Sequence, residues 1–403
     1  MRDTPDLGTA KAPHHRVRGF LLLAGILLIA ANLRPALASV SPLLAPIGVA
    51  LGLGAFGLTA LATIPVVCFA ALAPASLPLQ RRLGLERAMM IALAALFAGL
   101  LLRLLGATLP LFLGTAVAGS AIAIANVLLP AIVKRDFPGR VGLATGLYTT
   151  TLNGAAAVAA AISVPLAHVS GLGWRGALGF WAIPALAAFV LWLPQLHHGT
   201  HRTALPSVTG GFARLARMKL AWAVAMFMGL QSLGYYAVLS WLPAILHSVG
   251  IAPARAGLML SMTTIVAIPA ALITPGLATR RRDQRALLAV VLGVTAIGYL
   301  GLTIAPGAAP WLWMVIIGLG QGASFPLALT LIVLRAGGPA EAMSVSAFSQ
   351  TIGYAVSIAG PLGLGAIHAA TGAWWPAMAF LTATLLPTLA FGLAAARPET
   401  IRL

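Results

Sequence analysis

The stretch Asn32-Leu33-Arg34-Pro35-Ala36-Leu37-Ala38-Ser39-Val40-Ser41-Pro42 lies midway through the first long apolar run of the chain. It contains Arg34, the only one of 25 lysines and arginines near the centre of such a run. An arginine at mid-membrane costs about 2.5–3.5 kcal/mol on insertion scales, so a chain that keeps one there normally uses it. Its ordinary partner is a carboxylate on a neighbouring helix. The seven acids (Asp3, Asp6, Glu86, Asp136, Asp283, Glu341 and Glu399) all fall in terminal or loop stretches. Arg34 is left without a protein counter-ion, and the simplest missing partner is an anionic or acceptor-rich substrate.

Composition supplies the setting. The 403 residues are 60% apolar and only 8% charged, where a soluble domain carries about 25% charge. Apolar runs of twenty or more residues recur down the chain without the alternation of barrel strands, so the class is an all-α membrane protein. The net charge of +18 invites a nucleic-acid reading, but no basic patch lies on a foldable soluble segment, and none is expected to bind. Cys68 is the only cysteine, which excludes intramolecular disulfides. The basic, then apolar, N-terminus resembles a signal peptide; Asn32 and Arg34 interrupt the apolar run, so the expectation is that it is retained.

Working outward, the hydropathy pattern predicts twelve spans at about 19–48, 54–79, 86–104, 109–133, 142–167, 174–195, 219–248, 254–279, 285–304, 310–334, 342–367 and 373–396. The expected domains are an N-terminal tail (1–18), a six-helix bundle (19–195), a linker (196–218), a second six-helix bundle (219–396) and a C-terminal tail (397–403). Lysine and arginine decide orientation. Both tails and the even-numbered connections hold 21 of them, against three (Arg103, Arg175, Arg255) in the odd-numbered connections. Both tails and the linker are therefore expected in the cytoplasm, with the chain in a bacterial inner membrane among its lipids.

The two halves repeat. A shift of 200 residues lays Thr63 on Thr263, Arg81-Arg82 on Arg281-Arg282, Arg135 on Arg335, His168 on His368 and Trp174 on Trp374. The same shift sets Arg34 against Gly234, so the repeat diverges where a site would lie. Two parallel six-helix halves, pseudo-symmetric about an axis along the membrane normal, form the major facilitator fold. Glycines within spans (Gly114, Gly119, Gly318, Gly320, Gly322) read as close helix packing. The duplicated histidines, each ahead of a tryptophan, read as a structural helix-end interaction.

Candidate site residues are the polar and aromatic side chains inside spans. They are Asn32 and Arg34 on span 1, Asn126 on span 4, Tyr148 and Asn153 on span 5, and Gln231, Tyr235 and Trp241 on span 7. Gln321 and Phe325 on span 10 and Gln350 and Tyr354 on span 11 complete the set. Gln231/Tyr235, Gln321/Phe325 and Gln350/Tyr354 are i, i+4 pairs, each placing a donor beside a ring on one helix face. Donor-plus-ring faces suit a small flat polar ligand, with Arg34 forking onto an acceptor group. An interhelical hydrogen bond is the competing reading for each amide. No carboxylate pair, metal-ligand spacing or phosphate loop appears, so no enzyme activity, cofactor or metal is expected.

The segments NLRPALASVSPLL, NVLLPAIVKRDFP, GLYTTTLNG, YYAVLSWLPAIL and GLGQGASFPLALTLI resemble the cyanate permease / 2-nitroimidazole transporter family of the major facilitator superfamily. The resemblance runs over nearly the whole chain, with Leu33-Arg34-Pro35 and Trp241-Leu242-Pro243 its most specific parts. It implies alternating-access transport of a small planar or anionic solute. The superfamily's loop signature between helices 2 and 3 is degenerate, with Arg81 standing where an Asp is expected. A multidrug exporter of neutral or anionic compounds is the first alternative, and a membrane enzyme or receptor the second. The expected unit is a monomer with a small-molecule substrate.

Overall fold

The computed structural model describes residues 13–169, 171–199 and 211–403. Among them the chain is helical throughout, apart from one isolated bridge between Ala336 and Ile401. Nine stretches are long and apolar enough to cross a membrane, and one is Thr63–Leu105. Its 43 residues would extend about 65 Å as a straight helix, twice the hydrocarbon thickness. Gly84, at φ +81°, splits it into two arms; a side chain there would be strained. Counting both arms, the bent helix Val141–Val169 and the shorter Leu22–Ala38 yields the twelve crossings expected.

The principal helices are α1 (Pro13–Leu33), α2 (Ala55–Leu72), α3 (Ser76–Leu102), α4 (Thr108–Asp136), α5 (Val141–Val169) and α6 (Ala182–Gly199). The second half holds α7 (Lys219–Ser248), α8 (Pro253–Thr279), α9 (Arg285–Ile304), α10 (Pro310–Arg335), α11 (Pro339–Ser357) and α12 (Leu385–Ala395). Ala359–Thr371 continues the path of α11, and Trp374–Ala383 precedes α12. The repeat is visible in the packing. In the first half α4 rests on α2 and α3 while α1 rests on α5 and α6; in the second, α10 rests on α8 and α9 while α7 rests on α11 and α12. The most apolar windows of α4, α7 and α10 are each 72% buried, the highest of the set. Most of the expected N-terminal tail and the middle of the expected linker (200–210) fall outside the described residues; α6 runs to Gly199, a short helix, Gly211–Leu215, precedes α7, and the expected C-terminal tail is described in full.

The halves meet chiefly through α5 with α8 and α11 with α2 and α4. These contacts gather toward the arginine-rich end. Lys134 donates to the carbonyl of Val333 (3.1 Å), and Gln350 to that of Asn126 (3.0 Å). On α5, a Cβ at Gly146 would lie 2.6 Å from the carbonyl oxygen of Leu272 on α8. Glycine there lets two backbones touch.

The duplicated arginines cap this same end. Arg135 bridges Glu86 (2.7 Å) and Asp136 (2.8 Å). Arg335 instead meets Gln284 and the carbonyl of Ala395 (2.9 Å), while its own carbonyl accepts from Ile401, which is 3% exposed. The C-terminal tail is therefore docked on the end of α10. At the opposite end His368 stacks on Trp374 with ring centres 3.8 Å apart, a structural contact of the kind the duplicated pair suggested. In the first half the ring of Trp174 carries Arg175 at 5.6 Å.

Candidate functional site

The first span breaks where Arg34 stands. Pro35 has no N–H to extend the helix past Leu33. The chain then makes the short turn Pro35–Ala38, with Leu37 and Ala38 donating to the Arg34 carbonyl (3.0 and 2.9 Å), before helix resumes at Leu44. Broken helices at mid-membrane are how transporters of this architecture expose backbone and side chains to a central cavity. The repeat-related α7 runs unbroken from Lys219 to Ser248, because Tyr235 stands where the first half has Pro35.

Arg34 projects into a cavity lined by residues of both halves, among them Asn153 from the first and Gln231, Tyr235, Gln321 and Phe325 from the second. Its Nη1 donates to the Tyr235 hydroxyl at 3.0 Å. Its Cζ lies 5.2 Å from the ring centres of both Tyr235 and Phe325, each contact being a cation–π interaction. Tyr236 and Tyr354 lie within electrostatic reach. The carboxylates of the described residues are elsewhere: Glu86 and Asp136 with Arg135, Asp283 with Arg285, Glu341 beside Lys134 and Glu399 beside Arg335. The site therefore has an excess cation, a phenol as its acceptor, and two rings.

Of the expected residues, Arg34, Asn153, Gln231, Tyr235, Gln321 and Phe325 line this cavity. Gln321 donates to the Tyr299 hydroxyl (2.7 Å) and to the carbonyl of Gly234 (3.2 Å), the repeat partner of Arg34. Gln231 donates to Met228 O (2.9 Å) and Ser232 Oγ (2.6 Å). Its amide nitrogen is thus engaged within its own helix, leaving the carbonyl oxygen as its free function.

The other six are placed differently. Asn32 is turned to the carbonyls of Leu28 (2.7 Å) and Pro184 (3.0 Å), tying α1 to α6. Trp241 donates to Pro361 O (2.7 Å) and leans on Trp374. Gln350 donates across the halves to the backbone carbonyl of Asn126 and also to Ser346 Oγ (2.8 Å), so its amide makes a contact between the halves in which Asn126 takes part through its main chain. Tyr354 is 3% exposed behind Arg34, against Phe69. Tyr148 is buried beside Tyr354, and its hydroxyl has no hydrogen-bond partner.

The cavity also takes Ser232, Tyr236, Thr263 and Thr264, with Tyr299 just behind it. None of these is among the candidates picked out from the sequence. One signal was available: the chain has only five tyrosines. Tyr235 and Tyr236 line the cavity, Tyr299 bonds one of its residues, Tyr354 faces Arg34, and Tyr148 neighbours Tyr354.

The Arg34–Tyr235 bond has a measurable consequence. Tyr235→Phe removes the acceptor and is expected to destabilise the ligand-free protein by about 1.5–3 kcal/mol, the range for hydrogen bonds to charged groups. Thermal unfolding in detergent reads this directly. A saturating acceptor ligand should restore most of the loss by replacing the phenol; an unchanged melting temperature would mean the bond contributes nothing.

The family model for the Major Facilitator Superfamily matches residues 20–361. A protein of Bacillus subtilis (strain 168) described as the uncharacterized transporter YycB is 40% identical over 392 residues, 96% of this chain and 97% of its own. The 2-nitroimidazole transporter of Escherichia coli (strain K12) is 39% identical over 383 residues, 95% and 97% of the two chains. The cyanate transport protein CynX of the same organism is 32% identical over 356 residues, 87% and 91%. Among solved structures, the proton:xylose symporter XylE superposes with a TM-score of 0.78 at 14% identity, covering 96% of this chain and 98% of that one. FucP in its outward conformation does so with 0.74 at 13%, covering 94% and 99%. The chain is an integral membrane protein of the Major Facilitator Superfamily, and belongs to the branch that holds these cyanate and 2-nitroimidazole transport proteins.

Proposed function

We propose that the protein is a secondary transporter that carries a small planar or anionic solute, cyanate-like or nitroimidazole-like, by alternating access, with Arg34 as the substrate anchor. One observation carries the reading: a guanidinium in the central cavity whose hydrogen-bond partner is a phenol rather than a carboxylate. A phenol is easily exchanged for a better acceptor, and a carboxylate or nitro group presents two oxygens to the guanidinium fork. Tyr235 and Phe325 supply flat walls, and Asn153 and Gln321 bring amide groups to the lining. Two of the relatives act on solutes of this kind by their names. The test is a thermal-shift panel of cyanate, nitrate, nitroimidazoles and small carboxylates on purified protein, followed by uptake into liposomes with whichever probe shifts it. Stabilisation by larger hydrophobic compounds alone would favour the exporter of neutral or anionic drugs.

In this proposal the arginine-rich end is cytoplasmic, in an inner membrane, and the halves are closed on that side. The orientation rests on the division of 21 basic residues against three. Cysteines introduced at Thr9 and Ser207 are accordingly expected to stay unlabelled by an impermeant reagent in intact cells and to react once the membrane is opened. Labelling in intact cells would reverse the orientation. The five carboxylates of the described residues lie at the arginine-rich end, so coupling is assigned to uniport, exchange or a proton carried on the substrate. The functional unit proposed is the monomer.

A further inference from the structure

A second arginine is buried in the first half. Arg103, counted from the sequence with the connection at the end of span 3, is 1% exposed. Its Nη1 donates to the carbonyl of Ala36 at 2.7 Å, 67 residues away in sequence. Ala36 belongs to the four-residue turn Pro35–Ala38 that follows Arg34 directly. No carboxylate of the described residues pairs with Arg103, and its Nε has no hydrogen-bond partner. Burying an uncompensated guanidinium is unfavourable, so a carbonyl at 2.7 Å is the contact that offsets part of its cost.

The turn needs an external hold. Pro35 cannot continue the backbone ladder, and Ser39, the polar side chain that closes the turn, is buried with an unpartnered Oγ. The close approach of α3 and α4 brings Arg103 into place: a Cβ at Gly114 would sit 3.0 Å from Leu102 Cβ and 3.2 Å from Arg103 Cγ. The direction in which Arg34 leaves the backbone is set by the orientation of this turn. A shift of about 1 Å at an anchoring group is enough to degrade recognition severely.

We propose that Arg103 is a positioning residue: through the Ala36 carbonyl it fixes the turn that aims Arg34 into the cavity. The proposal rests on the reading of Arg34 as the anchor, and the experiment separates the two. Arg103→Met keeps volume and removes both charge and donors; replacing a buried ion by an apolar side chain of like size commonly leaves folding intact. Hydrogen exchange by mass spectrometry on the full chain is expected to show amides of residues 36–43 exchanging at least tenfold faster, with α4 and α10 unchanged. Arg103→Lys, which keeps one charged donor, should fall between. A packing role would be met by methionine, so unchanged exchange at 36–43 overturns the proposal, as does a lysine variant as labile as methionine. If Arg103→Met does not fold, Arg103→Lys decides: faster exchange confined to 36–43 supports the proposal, and exchange unchanged or faster throughout the first half overturns it.

Binding of cyanate and of 2-nitroimidazole supplies the second arm as a double-mutant cycle. Arg103→Met is expected to weaken binding at least tenfold beside Arg34 and to change it less than twofold in an Arg34→Lys background. Equal losses in both backgrounds overturn the positioning role while leaving the anchor intact. If Arg34→Lys binds both probes as the parent does, or the parent binds neither, it is the anchor reading that fails. The exchange measurement then still decides whether Arg103 holds the turn.

Discussion

Arg34→Ala is expected to abolish substrate binding, with at least a hundredfold loss of affinity, and Arg34→Lys to recover little of it. The guanidinium contributes two separable things. One is charge in a cavity without a carboxylate, which a lysine would retain. The other is a planar fork held between two rings at 5.2 Å, with one donor already aimed at Tyr235, and an ammonium on a flexible stem reproduces neither feature. A hydrogen bond to a charged group is worth about 1.5–3 kcal/mol, and a cation–π contact about 0.5–2. A two-point contact on the substrate therefore accounts for two or more decades in affinity. Without substrate, the alanine variant should be at least as stable as expected from the lost phenol bond alone, since removing the charge also removes its desolvation cost. The measurement is binding to detergent-purified Arg34→Ala whose melting temperature matches the parent. Near-normal affinity there would take Arg34 out of the site and the anion argument with it.

What could be read in advance follows from which forces act along the chain and which act across it. Span number, the helix repeat and the charge asymmetry are one-dimensional properties of hydropathy and sign, and each reappears: twelve crossings, matching helix pairs in the two halves, and arginine clusters at one end. Arg34 was legible because a buried charge is too costly to keep without use. The amides were less so. In a membrane every Asn, Gln or Trp must satisfy its donors inside the protein, and a backbone carbonyl on the next helix serves as well as a ligand. Asn32 found Pro184 and Trp241 found Pro361, whereas Gln321 found Tyr299 at the cavity wall. That choice depends on the rotation of each helix about its axis, which hydropathy does not encode when all faces are apolar. Arg103 shows the same limit from the other side. Near the end of a span it reads as an interfacial arginine free to reach water, and only the inward fold of the broken first helix makes it a buried one.

Gly146→Val is expected to stop transport while leaving substrate binding in place. In this structure the halves are joined at the arginine-rich end, where α5 lies directly on α8. The nearest atom to a Cβ at Gly146 would be the Leu272 carbonyl oxygen, 2.6 Å away, and it is backbone rather than a side chain that could turn aside. Overpacking a close contact of this kind costs about 1–3 kcal/mol. The cost falls only on the state with α5 and α8 together, so the population should move about ten- to a hundredfold toward the state open at this end. The cavity residues belong mostly to other helices and Asn153 lies nearly two turns further along α5, so the binding groups survive. Ser349, buried on α11 with an unpartnered hydroxyl, is a suitable reporter. With Cys68 replaced by Ala, a Ser349→Cys protein should react slowly with an impermeant maleimide applied from the arginine-rich side. The same protein carrying Gly146→Val should react at least tenfold faster, and Gly146→Ala should fall between. Unchanged labelling together with unchanged uptake would show that α5 and α8 do not separate here during the cycle. The gate would then have to be sought at the contacts of α11 with α2 and α4.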